Sequence, residues 1–189
     1  MEQRTVDIGE LLRNIASDVA IEADARGCLL NVQAQERLLV SGDPELLRSA
    51  FENVIRNGVR FSPAEAVVVV SARRVAQPHS ADTVQVAVHD SGPGVPEKDL
   101  GLIFEPFYRV DAAREHQGAA GEGLGLAIAA SALAAHGGAI SAHNMPGGGL
   151  AIVVTLPFFE TQGVPAGSNA PSASDTGLTA RKTETQTAP

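Results

Sequence analysis

Along residues 7–157 the apolar pattern changes rhythm repeatedly, from spacings of three and four to short β-branched runs. That interleaving limits the fold more than any other feature, because alternating helix and strand periods point to layered α/β architecture. Asp7 stands before Ile8, Leu11, Leu12, Ile15, Val19 and Ile21, which predicts an amphipathic helix with Asp7 as its N-cap. Residues 28–32 and 37–40 read as a short β-hairpin. Gly42-Asp43-Pro44 starts a second helix, which runs through Leu47, Phe51, Val54 and Ile55 to about Phe61 before Ser62-Pro63. Residues 67–75 and 84–88 are β-branched strands, and 90–95 form a Gly/Pro turn. Residues 103–121 carry no period. A third helix spans about 123–136 and stops at Gly137-Gly138, and the last strands are 139–143 and 150–156. The expected fold is a two-layer α/β sandwich with a mixed sheet of about five to six strands and three main helices.

The composition excludes several classes. A net charge of −8 argues against a nucleic-acid backbone binder, which needs a basic face. A single cysteine, Cys28, rules out an internal disulfide and a Cys-based zinc cluster. No apolar run approaches the ~18 residues needed to span a bilayer, so no direct membrane contact is expected of this chain. Residues 161–189 are rich in Gly, Pro, Ser, Thr and Ala without a hydrophobic period, which predicts a disordered tail after a folded unit ending near residue 160.

Three clusters could carry chemistry. Asp90-Ser91-Gly92-Pro93-Gly94 follows a strand. The carboxylate could accept a hydrogen bond from an amine while the glycines let backbone approach a flat ligand; a plain tight turn has the same composition. Gly121-Glu122-Gly123-Leu124-Gly125-Leu126 opens a helix, where exposed N–H groups and the dipole favour a phosphate. Tight helix packing would also select those glycines. Asn53, Asn57 and Arg60 share one helix face at i, i+4 and i+7. Asn oxygen suits Mg²⁺ and Arg suits phosphate, though a solvated polar face would look alike.

Taken together, these segments resemble sensor histidine kinases. Glu52-Asn53-Val54-Ile55-Arg56-Asn57-Gly58-Val59-Arg60-Phe61-Ser62-Pro63 is similar to the family's asparagine box. Asp90–Gly94 is similar to the first glycine box and Ile103-Phe104-Glu105-Pro106-Phe107-Tyr108-Arg109-Val110-Asp111 to the phenylalanine box. Gly121–Leu126 resembles the second glycine box, and Gly147-Gly148-Gly149 the last glycine turn, all in order over residues 6–157. The flavour is that of envelope-stress sensors of Gram-negative bacteria.

The resemblance implies a Bergerat-type catalytic domain that binds ATP and Mg²⁺. Asn57 would be the metal ligand, supported by Asn53. Arg60 would meet phosphate, and Phe61 would lie against adenine. Asp90 would bond the adenine amine, with Gly92 and Gly94 admitting the base. Gly121, Gly123, Leu124 and Gly125 would hold the phosphates. Residues 107–120 would form a lid, and Arg109 would reach the γ-phosphate. Phe104 and Phe107 would pack against the partner helix domain, although simple core serves equally for Phe104. The implied partners are a dimerisation/phosphoacceptor helix domain of the same parent kinase and a cognate response regulator. The domain would be cytoplasmic, with its parent in the bacterial inner membrane. Two positions depart from the pattern: Gly58 replaces a usual Ala, and Glu122 brings a carboxylate near the phosphates, repulsive unless it points outward.

None of the five histidines (His79, His89, His116, His136, His143) lies in the family's phosphoacceptor pattern. His136 is expected at a helix end, where a cation is favoured. The acceptor domain is therefore expected outside this chain. A hydrolase of the same fold would place a general-base Glu at position 53. Asn occupies it, and Glu52 lies about 100° around the helix. The competing readings are an ATP-hydrolysing enzyme of this fold and a degenerate module without nucleotide.

Overall fold

The computed structural model describes residues 3–35, 37–110 and 122–160. Strand β1 (Arg4–Asp7) leads into helix α1 (Ile8–Ala25), followed by β2 (Leu29–Ala34), β3 (Leu39–Gly42) and α2 (Pro44–Phe61). Then come β4 (Val67–Val75), β5 (Thr83–His89), two single-turn 3-10 helices, α3 (Gly125–Ala135), β6 (Ala139–Asn144) and β7 (Leu150–Pro157). Both expected N-caps are present. Asp7 Oδ1 accepts from the N–H of Gly9 and Glu10, and Asp43 Oδ1 from those of Glu45 and Leu46.

The main sheet has five strands in the order β2-β4-β5-β7-β6, with β2 and β4 parallel and every other pair antiparallel. This is the mixed sheet expected, but the hairpin is not. β2 pairs with β4, and β3 pairs with β1 in a separate two-stranded ribbon, Val6 opposite Val40. Parallel neighbours need a long crossover, which here is β3 plus α2. Residues 33–35, Gln-Ala-Gln, lack the Gly, Asn or Asp of a tight hairpin, consistent with the pairing found.

The helices cover one face of the sheet. Leu12, Ile15 and Val19 of α1, and Leu47, Phe51, Val54 and Ile55 of α2, lie fully buried against Val68, Val70, Val84, Val86 and Ile152. Ile21 does not join this face. It is 81% exposed, and Ala23 takes the buried position instead. Gly58 explains its departure from Ala. A Cβ there would come within 3.2 Å of Val68 Cγ1 and 3.3 Å of Val88 Cγ1, so glycine lets α2 settle on the sheet.

His136 is the C-cap residue of α3, at the helix end expected. Its Nε2 accepts the N–H of Asp43 at 2.9 Å, while Nδ1 lies 2.6 Å from the Ala132 carbonyl. The ring ties the end of α3 to the start of α2.

Candidate nucleotide site

Three stretches far apart in sequence meet at one end of α2. Its Phe61–Ser62 terminus touches the loop after β5: a Cβ on Gly92 would stand 2.7 Å from the Phe61 carbonyl oxygen, and the Ser91 N–H lies 3.4 Å from Ser62 Oγ. A Cβ on Gly58 would lie 3.8 Å from Asp90 Cβ. On the other side, a Cβ on Gly125 would come within 3.0 Å of Asn53 Oδ1. The first turn of α3 therefore lies against the Asn53 side of α2.

Asp90 is held firmly. Its N–H donates to the Leu150 carbonyl at 3.0 Å, and its Oδ1 accepts from Gly92 N–H at 2.8 Å and Leu150 N–H at 3.1 Å. Gly149, at φ +95°, is pressed against the Asp90 carbonyl oxygen where no side chain would fit. Asp90 is 8% exposed, and burial raises its carboxyl above the usual range, opposed by the Gly92 and Leu150 hydrogen bonds and the nearby His89. Both fixed donors serve Oδ1. Oδ2 has no hydrogen-bond partner among the described residues, and no side-chain oxygen there is sealed without one, so Oδ2 is open to an incoming donor.

Asn53 Nδ2 donates back to the Ser49 carbonyl at 2.9 Å, which leaves its oxygen facing α3. Asn57 is half-buried, and its side chain makes no hydrogen bond among the described residues. A hard amide oxygen so placed fits a metal ligand, since the metal would displace no protein partner. Glu52 turns the other way, as expected. It pairs with Arg56 at 2.8 Å, and Arg56 also reaches Glu22 of α1 at 3.1 Å.

Positive charge collects at the end of α2. The Arg60 guanidinium lies 5.5 Å from the Phe61 ring centroid. Burial, then the charges of Arg109 and Arg26, holds Arg60 below the usual arginine range. Arg26 also donates to the Arg60 carbonyl at 2.7 Å. An arginine does not release its proton in this situation. The crowding instead marks a place where an anion would be favoured.

The second glycine cluster is described only in part. Gly121 lies outside the described residues, as do 111–120 of the expected lid. Gly123 has φ +75° and its carbonyl accepts the Phe107 N–H at 3.0 Å. Leu124 is the N-cap residue of α3, and Glu122 is exposed. Phe104 packs against the core, whereas Phe107 is 70% exposed. Two surface hollows, of about 230 and 380 Å³, lie elsewhere, beside Asp82 and Pro157 and beside Arg37 and Phe158. They share no residue with this constellation.

The family model described as histidine kinase-, DNA gyrase B-, and HSP90-like ATPase matches residues 42–160. The chain belongs to this family. Sensor histidine kinase CpxA of Escherichia coli (strain K12) is 35% identical over 157 residues, covering 82% of this chain and 33% of that protein. Sensor histidine kinase WalK of Bacillus subtilis (strain 168) is 38% identical over 125 residues, 66% of this chain and 20% of WalK. Among solved structures, the mycobacterial sensor histidine kinase MprB superposes with a TM-score of 0.71 at 27% identity, covering 83% of this chain and 98% of that one. Full-length ShkA in complex with AMPPNP gives 0.69 at 30% identity, covering 84% of this chain and 31% of ShkA. The chain spans about a third of the length of CpxA. It is the ATP-binding catalytic domain of a two-component sensor histidine kinase.

Sequence reasoning missed Asn144, Arg26 and Ser62. Asn144, the last residue of β6, bonds Val95 through both atoms of its amide. Its only signal was an Asn at a strand end before a Gly/Pro turn, which normally means the turn itself. Arg26, next to Gly27 after α1, carries no local pattern that would point to Arg60.

Proposed function

We propose that the domain binds Mg-ATP in the cleft between α2, the loop after β5 and the first turn of α3, and donates the γ-phosphate to a histidine on a separate helix domain. The observation that carries this is the division of labour on Asp90. One oxygen is consumed by two backbone donors, and the other is left for an amine. Adenine offers that amine at the edge where guanine has a carbonyl, so ATP is preferred over GTP. Phe61 flanks the base, and Gly92 and Gly94 leave room for it. Asn57 would hold Mg²⁺ with Asn53 beside it, and the metal, when bound, neutralises triphosphate charge. Arg60 meets the phosphates, Gly123, Leu124 and Gly125 offer N–H groups to them at the start of α3, and Gly121 would do the same.

Arg109 stabilises charge on the γ-phosphate as it leaves. The ion pair of Glu52 with Arg56 disfavours the hydrolase reading, because it turns the carboxylate away from any attacking water. Phe107 offers an apolar contact for the acceptor helix domain. The parent kinase, in the bacterial inner membrane, would pass the phosphoryl group to a response regulator. Calorimetric titration with Mg-ATP, Mg-GTP and ATP in EDTA tests the reading. Tight Mg-ATP binding, weakened by EDTA and by the change of base, is expected. No binding of Mg-ATP would sink it in favour of a module without nucleotide.

A further inference from the structure

The loop that presents Asp90 is fastened at both ends, and only one fastening belongs to Asp90 itself. At its start, the Leu150 carbonyl of β7 accepts the Asp90 N–H, and the Leu150 N–H donates to the Asp90 carboxylate. At its end, the Asn144 amide takes both polar groups of one peptide residue. Oδ1 accepts the Val95 N–H at 2.9 Å, and Nδ2 donates to the Val95 carbonyl at 2.6 Å and, more loosely, to Glu97 at 3.4 Å. The side chain thus does for Val95 what a neighbouring strand would do.

Asn144 and Leu150 are register partners across β6 and β7, so the two fastenings spring from one rung of the sheet. Between them lie Ser91, Gly92, Pro93 and Gly94. Pro93 has no N–H to give. Gly94 passes so close to the amide that a Cβ would meet Asn144 Oδ1 at 2.7 Å, and its φ of +74° suits glycine. Only an amide satisfies the Val95 pair. A carboxylate would face the Val95 carbonyl and Glu97 with like partial or full charge, and an apolar residue would leave both Val95 groups unpaired.

We propose that Asn144 is a positioning residue for base recognition: by clamping Val95 it holds the Gly92–Gly94 segment in the shape that admits adenine, before nucleotide arrives. It touches no reacting atom and has no part in holding the phosphates. This inference rests on the nucleotide reading of the site.

The test uses the full chain and the variants N144D and N144A. Affinities for Mg-ATP and for adenosine are titrated, folding is checked by thermal melting, and exchange of the Val95 amide is followed in the nucleotide-free parent. Both ligands are expected to bind about tenfold more weakly to a folded variant, the loss of a half-buried hydrogen-bond pair felt at the base. A purely structural role would lower the melting temperature without moving the adenosine affinity. Unchanged adenosine binding in a folded variant overturns the proposal, and so does a loss confined to ATP. If neither variant folds, the parent's exchange decides. Slow exchange at Val95 without nucleotide supports the clamp, and exchange at the rate of open loop overturns it. A parent that binds no Mg-ATP sinks the functional reading instead, which separates the two failures.

Discussion

His136 at the end of α3 accepts the backbone N–H of Asp43, the residue that caps α2. The bond joins the two helices that flank the proposed nucleotide cleft, and the ring stands where a side chain on residue 42 would go, so Gly42 is required beside it. His136→Ala removes an acceptor for one half-buried N–H and a donor for the Ala132 carbonyl. Such losses cost about 1–3 kcal/mol. The melting temperature should fall by about 4 °C or more. A melt equal to the parent's would show the bond to be idle.

Asp90→Asn should weaken ATP binding and leave the sheet intact. The amide brings a donor toward Oδ2's place, or a flip brings it against the Gly92 and Leu150 N–H groups. Either mispairing costs about 1–3 kcal/mol. The substitution also removes a titration. The folded state raises the Asp90 carboxyl, chiefly by burial, so it holds that proton more tightly than the unfolded chain does. Its contribution to stability is therefore full below the unfolded pKa and is lost as pH rises through the folded one. The parent minus Asp90→Asn stability difference should move in that sense across mild acid. Denaturant melts at several pH values check it, and a flat difference would contradict the burial argument.

Asn57→Ala should abolish the Mg²⁺ dependence of ATP binding and keep the fold. The side chain makes no hydrogen bond among the described residues, so little structure depends on it. Mg-ATP affinity should drop by at least about tenfold, while metal-free ATP affinity stays near the parent's. The same titration pair on parent and variant decides, and equal Mg²⁺ responses would remove Asn57 from the metal site.

Much of this architecture could be read from residue types. Asp7 and Asp43 announced their helices because caps are local chemistry. The β4 and β5 runs announced strands because they are rich in β-branched Val. The Asn53–Asn57–Arg60 face followed from helix periodicity alone. The strand partner of β2 could not be read, because pairing across a crossover leaves no local trace and only the missing turn residue hinted at it. Arg4–Asp7 was too short to show a period. Asn144 and the contact of His136 with Asp43 escaped for a different reason. Each acts on a backbone group distant in sequence, and a backbone N–H has no residue type to search for. Ile21 misled because hydrophobicity was counted without its angle; it falls outside the buried stripe of Leu12, Ile15 and Val19.

A chain ending at Glu160 should melt within a few degrees of the full one and bind nucleotide alike. The last backbone anchors of the described fold are Phe158 N–H to Asp82 and Phe159 N–H to Leu39, with Arg74 stacked 4.0 Å over the Phe158 ring. The family match also ends at residue 160. A fall well beyond a few degrees would show that residues 161–189 contribute to the fold.

The last prediction concerns phosphoryl transfer. This domain alone should bind ATP without labelling itself at a histidine, since none of His79, His89, His116, His136 and His143 sits in an acceptor motif. His136 in particular is spent on Asp43 and Ala132. Mixed with the acceptor helix domain of its parent kinase, it should transfer the γ-phosphate slowly, because tethering normally supplies an effective concentration of order mM. Arg109→Ala should then reduce transfer more than ATP affinity. Its guanidinium matters most where charge develops on the leaving γ-phosphate, so its loss weighs on transfer more than on binding. Radiolabelled ATP with both pieces, reading acid-labile label on the helix domain, measures the rate, and calorimetry measures the affinity. Equal losses in the two would make Arg109 a binding residue only, and strong acid-labile label on this chain alone would place an acceptor within it.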